Sequence, residues 1–474
     1  MKSIAGTEDA RKLIHEGIQV MSKTSIQGMK IDVEYCVKQE KYLGKKIKVL
    51  KNDFAKSKIG RKWKKEYLSP NFNSDQQLRN ILFNKYKLPI IKRTDPSKAY
   101  PEGQPSVDNE CLDILSKTEP DLKSYAEYKK YSKVLKTYIQ GILKEQVNGF
   151  LYPFFHLNTT ATFRSSSSAI NFHNQPNRDK KQKRIVRSAF IPSPGNQLLT
   201  GDFTGIEVAI SACNHKDPKM LDYVRHPEIN NMHTDMAIQC FLLDEFLKAE
   251  GEEKLRKGTK NGFVFPQFYG DYYLNNAPVL CDWAGLPLKG SFSKKDGVQL
   301  MTGMKIGEHL IKKNICSFDD FVEHIKGVED DFWNNRFRKY KKWKEKKVKE
   351  YYEKGFLKTL TGFTCSGLLT KNQITNYPIQ GPAFHCLLKT YIELYHRLQK
   401  YKMKSRLIGQ IHDEMVLDAH PKEREYILEM MQEIACVWLL KQWKWIIVPL
   451  EIEAAIFEPD ANWAQKAEKM KIAA

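Results

Sequence analysis

Two short stretches, more than two hundred positions apart, restrict this chain more than anything else in it. In the first, Leu198 and Leu199 form an apolar run that reads as a β-strand, and the chain leaves it through Gly201 with Asp202 at the exit. In the second, Arg406-Leu407-Ile408-Gly409-Gln410-Ile411 runs into His412-Asp413-Glu414 and then Met415-Val416-Leu417-Asp418. Two apolar runs with a short polar connection predict a β-hairpin with Asp413 at or beside its tip. If the first strand pairs with this hairpin, Asp202 and Asp413 become neighbours. Two carboxylates on adjacent strand ends can hold two divalent cations roughly 4 Å apart, which clamp the attacking and leaving oxygens of a phosphoryl transfer. Any single Asp is ordinarily a turn residue or a cap, so the pairing is what matters.

The charge balance agrees with such chemistry. With 77 basic against 56 acidic residues the net charge is +21, which calls for a polyanionic partner; nucleic acid is the default and a membrane surface the weaker alternative. The 474 residues are enough for two to four domains with real cores. The first residues, Met1-Lys2-Ser3-Ile4-Ala5-Gly6-Thr7-Glu8, carry no apolar signal core, and Lys441 and Lys444 interrupt the most apolar late stretch; a cytoplasmic protein without a membrane span is expected. Nine cysteines scattered from Cys36 to Cys436 form no C-x-x-C pair, so reduced, packed thiols are expected and no structural zinc.

Asp202-Phe203-Thr204-Gly205-Ile206-Glu207 resembles motif A of the family A, polymerase I-like DNA polymerases, in which Asp-Tyr-Ser-Gln-Ile-Glu is usual. Gln410-Ile411-His412-Asp413-Glu414 resembles motif C, Arg256 to Gly270 resembles motif B, and Asn376-Tyr377-Pro378-Ile379-Gln380-Gly381 is similar to the family's Asn-x-Pro-x-Gln-Gly segment. Four motifs in the family's order are far more specific than any one. The resemblance implies an α+β right hand with an antiparallel-sheet palm and mostly helical thumb and fingers. It divides the chain into a basic helical lead-in (1–73), thumb (74–150), palm (151–230), fingers (231–371) and second palm segment (372–474). It covers residues 74–474 and leaves no room for a complete exonuclease domain before them, as in a phage-type enzyme; Asp32-Val33-Glu34 offers paired acids without the surrounding strands. Asn462-Trp463 resembles the family's ending, so the chain is expected to be complete there.

The same resemblance assigns roles. Asp202, Asp413 and Glu414 are the catalytic acids, and Asp202, Asp413 and the carbonyl of Phe203 hold two Mg²⁺, with Mn²⁺ as a substitute. Glu207, His233, Arg256, Lys260, Phe265 and Tyr269 bind the incoming dNTP; Glu207 fills the space of a ribose 2′-hydroxyl. Arg164, Asn171, Asn174, Asn376, Gln380 and His412 contact primer-template DNA. Phe163 stands where the family has Gly, His173 where it has Gln, and Asn372 where it commonly has Arg; Gly205 and Ala209 replace the Gln and Arg of motif A. Arg178, Lys180, Lys181, Lys183, Arg184 and Arg187 add a basic cluster, and Lys45 to Lys65 another, interleaved with Phe54 and Trp63. Pro449 to Glu453 alternates like a strand edge.

Read from the residues themselves, Arg256 and Lys260 share a helix face. Lys260 to Tyr269 is one residue longer than the family pattern, and Pro266 would clash with the carbonyl of Gly262 in a regular helix. A π-bulge between Gly262 and Pro266 is therefore expected, with Phe265 stacking on the incoming base and Phe263 as the fallback. Phe instead of Tyr at the stacking position would, by the family's pattern, favour deoxy over dideoxy nucleotides. The expected activity is template-directed extension of a primer 3′-hydroxyl; a catalytically silent DNA-binding relative and a metal-dependent nuclease are the alternatives. An exonuclease or processivity factor on another chain is left open as a partner.

Overall fold

The run Gln197-Leu198-Leu199-Thr200-Gly201-Asp202-Phe203 is buried at every position except Asp202, and that pattern marks an interior strand ending at a rim. The computed structural model describes residues 2–176, 179–411 and 413–473. Along the chain, helix α1 (Lys180–Arg187) precedes strand β1 (Gln197–Phe203), which turns through Gly205 into α2 (Ile206–His215). Then follow α3 (Met232–Phe241), α4 (Glu250–Thr259), α5 (Phe265–Tyr269), α6 (Tyr273–Ala284) and the 30-residue α7 (Lys371–Lys400). The chain ends in strands β2 (Arg406–Ile411), β3 (Glu414–Ala419), β4 (Ile452–Ile456) and β5 (Glu468–Ile472). Contacts divide it into two compact units, Met1–Lys45 with Tyr131–Arg225 and Lys339–Ala474, and Lys46–Lys130 with His226–Arg338.

The first unit is built on a fully antiparallel sheet in the order β5-β4-β1-β3-β2. β2 and β3 are the expected hairpin, and β3 lies beside β1. The late alternating stretch is a strand, but an interior one: β4 pairs with β1 on one side and β5 on the other. Leu198, Leu199, Met415, Val416, Leu417, Ile452 and Ala454 exclude water completely and form the sheet's core. Helix α7 contains Pro378 and Pro382. Pro382 has no N–H to give the Pro378 carbonyl four residues back; Asn214 Nδ2, from α2, donates to that carbonyl at 3.1 Å. One side-chain amide thus repairs the helix and fastens the Asn376–Gly381 segment to the helix that follows Asp202. Asp32, one of the paired acids that lack the surrounding strands of an exonuclease, caps the helix Val33–Lys56, its Oδ1 accepting the N–H of Tyr35 at 2.8 Å.

The second unit is helical. Phe54 and Trp63, interleaved with the lysines of the early basic run, face inward and pack edge-on with Phe72 and tilted against Tyr125 in its core. The aromatic residues there serve the core. All nine cysteines are unpaired and only Cys316 is exposed.

Candidate active site

Strand register gathers the acids. Asp202 on β1 lies directly opposite Glu414 on β3 and, on its other side, opposite Glu453 on β4, so three carboxylates form a row across three strands. Like charges directly opposite repel. Asp413 occupies the turn before β3; its carbonyl accepts the N–H of Phe203 at 3.3 Å, which locks the hairpin tip to the end of β1. Solvent reaches Asp202 from the open rim, but protein surrounds its other sides. That desolvation, then Glu414, Asp413 and Glu453, push its pKa up to about 7. Asp413 is pushed up to about 6, by desolvation above all, with Arg164 opposing and Glu207 adding to the rise. Cations hold the flanks: Arg187 Nη2 stands 3.6 Å from Glu414 Oε2 with its guanidinium 4.5 Å over the Trp463 ring, and Lys469 pairs with Glu453.

The Thr159–Ser168 stretch is pinned against these acids. Arg164 donates to Glu207 at 3.1 Å and stands 3.8 Å from Asp413, so its guanidinium bridges the two acidic segments. Ser165 and the fully buried Gln410 of β2 meet at 2.5 Å. Phe163, where a glycine was expected, takes the left-handed φ of 54° that favours glycine, and its ring packs on Phe363 at 4.6 Å. Gly205, in place of the family's Gln, also adopts a left-handed φ, 61°, where the chain turns from β1 into α2. Asn171 is exposed, His173 is buried against Phe155, and Asn376 and Gln380 lie half-buried one turn apart on α7. His412 and Arg178 lie outside the described residues, as does the side chain of Asn174.

In the second unit, a wide turn interrupts the helix that starts at α4. Residues Lys260–Val264 form a π-turn, closed by the Phe265 N–H on the Lys260 carbonyl, and α5 restarts with Pro266 in its first turn, where no N–H is needed. The bulge begins two residues earlier than expected, at Lys260, because the widened ring must be complete before the proline. It sorts the two phenylalanines. Phe263 is fully buried against Phe332, whereas Phe265 is partly open, 5.7 Å from the His233 ring and 5.4 Å from Lys260 Nζ. Burial first, then Lys260 and Arg256, hold His233 down to about pH 3, so at neutral pH it is uncharged beside two cations. Its Nδ1 has no hydrogen-bond partner. Arg256 is steadied by Glu253 at 3.1 Å, and Tyr269 is 41% exposed. An anion would relieve the crowding of these positive groups.

The sequence profile described as DNA polymerase family A matches residues 33–273 and 326–465. The chain belongs to DNA polymerase family A. Its relatives include DNA polymerase I of Caldicellulosiruptor bescii, 25% identical over 94% of this chain and 46% of the relative, and that of Aquifex aeolicus, 28% identical over 93% and 65%. This family A chain thus spans from about half to two thirds of the length of these proteins. Its fold is similar to the structure titled "POL domain of Pol1 from M. smegmatis complex with DNA primer-template and dNTP", with a TM-score of 0.71, 18% identity and coverage of 95% of this chain and 70% of that one. Residues 274–325 are unmatched by the family profile.

Among the described residues no three or more His, Cys, Asp or Glu side chains converge as a ready-made metal shell, and no helix is long and apolar enough to cross a membrane. What the rim of the sheet offers at the end of β1 and before β3 is oxygen alone: the carboxylates of Asp202 and Asp413 and the main chain of Phe203. Both carboxylates are held above their ordinary pKa, and Asp413 Oδ1 is buried without a hydrogen-bond donor. That donor set fits a hard divalent cation such as Mg²⁺, whose charge would offset the repulsion in the row. Reading the motifs missed Glu453 and the part Arg187 plays. The alternation Ile452-Glu453-Ala454 was visible, but its partner strand was not.

Proposed function

We propose that this chain is a template-directed DNA polymerase that adds deoxynucleotides from dNTPs to a primer 3′-hydroxyl, releasing pyrophosphate. One observation carries the reading: β1 and β3 pair in the register that sets Asp202 against Glu414, with Asp413 bonded to Phe203 beside them. Asp202, Asp413 and the Phe203 carbonyl would hold two Mg²⁺, or Mn²⁺ in its place. When bound, these ions lower the pKa of the primer hydroxyl and neutralise the leaving phosphates.

The chain's own residues do the rest. Arg256 and Lys260 take up triphosphate charge, and neutral His233 offers a hydrogen bond without a further charge. Phe265 stacks on the base, and Tyr269 completes that face. Glu207, held by Arg164, denies space to a 2′-hydroxyl. Arg164, Asn171, Asn174, Asn376, Gln380 and His412 contact the primer-template, and Glu414 supports the catalytic pair. We assign thumb, palm and fingers to residues 74–150, 151–230 with 372–474, and 231–371.

A primer-extension gel with Mg²⁺, with and without dNTPs, tests this. Lengthening only with dNTPs is expected, and Asp202→Ala or Asp413→Ala should cut it by several decades while duplex binding persists. A primer that shortens would make the chain a nuclease, and binding without extension a silent relative.

A further inference from the structure

Helix α4 begins without a capping side chain, since Ala249 stands at the position where a hydroxyl or carboxylate would accept the free N–H groups. Glu252, three residues on, is 3% exposed and makes up the deficit in an unusual way. Its Oε2 accepts the N–H groups of Leu247 and Ala249, both at 3.0 Å, and its Oε1 accepts the N–H of Met301 at 3.2 Å. Beside it, Gly251 lies against the backbone of Gln299, where an added Cβ would stand 2.0 Å from the carbonyl oxygen. Gln299 and Met301 belong to the 274–325 segment that the family profile leaves unmatched. That segment is itself tied down: Val298 donates to the Ala284 carbonyl at the end of α6, Ile306 to Val298, and Leu300 to Met304, at 2.8 to 3.0 Å. One buried carboxylate therefore joins the helix, its lead-in and the inserted turn through charge-assisted bonds.

Glu252, Arg256 and Lys260 follow at four-residue steps, so they lie along one stripe of α4 and its continuation. Whatever fixes Glu252 fixes the start of the stripe that carries the two cations. We propose that Glu252 is a positioning residue for the nucleotide: through the inserted turn 298–304 it holds the start of α4, and with it Arg256 and Lys260, in the setting that receives a triphosphate. The proposal rests on the nucleotide role given to Arg256 and Lys260 above and assigns the specific brace that makes the role effective.

The test uses the full chain and three variants. Met301→Pro removes the N–H that Glu252 accepts from the turn and fixes the backbone φ there, Met301→Ala keeps that N–H, and Glu252→Gln replaces one acceptor oxygen by an NH₂ group, so that the bonding on one side of the carboxylate is lost. Steady-state extension gives KM for dNTP and kcat, and calorimetry with inorganic tripolyphosphate reads the anion site without any reaction. Met301→Pro and Glu252→Gln should raise both KM and the tripolyphosphate Kd about tenfold, with kcat and primer-template Kd changed by no more than about twofold. Met301→Ala should behave as wild type. Unmoved KM and tripolyphosphate Kd in folded Met301→Pro and Glu252→Gln would overturn the proposal, as would a fall in melting temperature that lowers kcat, KM and DNA affinity together. Wild type that neither extends primers nor binds tripolyphosphate would instead sink the nucleotide reading itself, and the brace with it.

Discussion

Replacing Asp202 with Asn should make the cation-free protein more stable while destroying its activity. In the folded chain the pKa of Asp202 stands near 7 and that of Asp413 near 6, against 3.8 for an ordinary Asp. An acid with a raised folded pKa favours the fold most when protonated. Its stabilising share is complete below about pH 4 and is lost as pH climbs through about 6 to 7. At about 1.4 kcal/mol per pH unit, the rise at Asp202 would correspond to roughly 4 kcal/mol. Its rim is open to water, and screening leaves about 1–2 kcal/mol of that. The unit that holds it has about 280 residues, for which about 0.6 kcal/mol/K of unfolding entropy turns this into roughly 2–3 °C. Thermal unfolding at pH 8 in EDTA should therefore place Asp202→Asn about 2–3 °C above wild type, and the gap should close below pH 4. Adding Mg²⁺ should raise Tm of wild type but scarcely that of the variant. A variant no more stable than wild type at pH 8, or one that gains as much from Mg²⁺, would refute the picture of a repelling carboxylate row that a cation neutralises.

Glu207→Ala should reduce the preference for dNTP over rNTP by about two orders of magnitude in kcat/KM; unchanged sugar discrimination would remove Glu207 from the gate. At Phe163 the usual order of residues should invert. Phe163→Gly relieves the left-handed backbone that Phe163→Ala retains, so in urea titrations the Gly variant should be the more stable by about 1 kcal/mol, and an Ala variant of equal stability would argue against strain there. Asn214→Ala leaves the Pro378 carbonyl without its donor and should cost about 1–3 kcal/mol, read as a lower Tm; no change would mean that another group takes over.

How far these features could be read from the sequence depended on the range of the interaction that creates each. Strand β1 and the β2–β3 hairpin announce themselves because apolar runs and a polar tip are local patterns. The extra residue before Tyr269 was equally local, and with Pro266 it left the helix no regular solution, so the π-turn was legible to within two residues. Glu453 was not, because its place opposite Asp202 depends on strands about 250 positions apart pairing in one register. The engagement of Arg164 with Glu207 and Asp413 was hidden for the same reason, and so was the rescue of Pro378 by Asn214. Phe163 shows another limit: its left-handed φ goes with a backbone bond to Thr160 and a ring contact with Phe363, and the second of these lies two hundred positions away.

The widened turn at Lys260–Val264 also indicates where this chain can absorb a change of length. A helix offered one surplus residue opens a single ring, and every side chain beyond it returns to its former bearing. In β1, unless a bulge such as the register shift at Val416–Leu417 took up the change, adding or deleting one residue between Leu198 and Gly201 would turn Asp202 to the opposite side of the sheet and carry it away from Glu414 and Glu453. Insertions and deletions should therefore be survivable in the helical unit and lethal to chemistry in the strands.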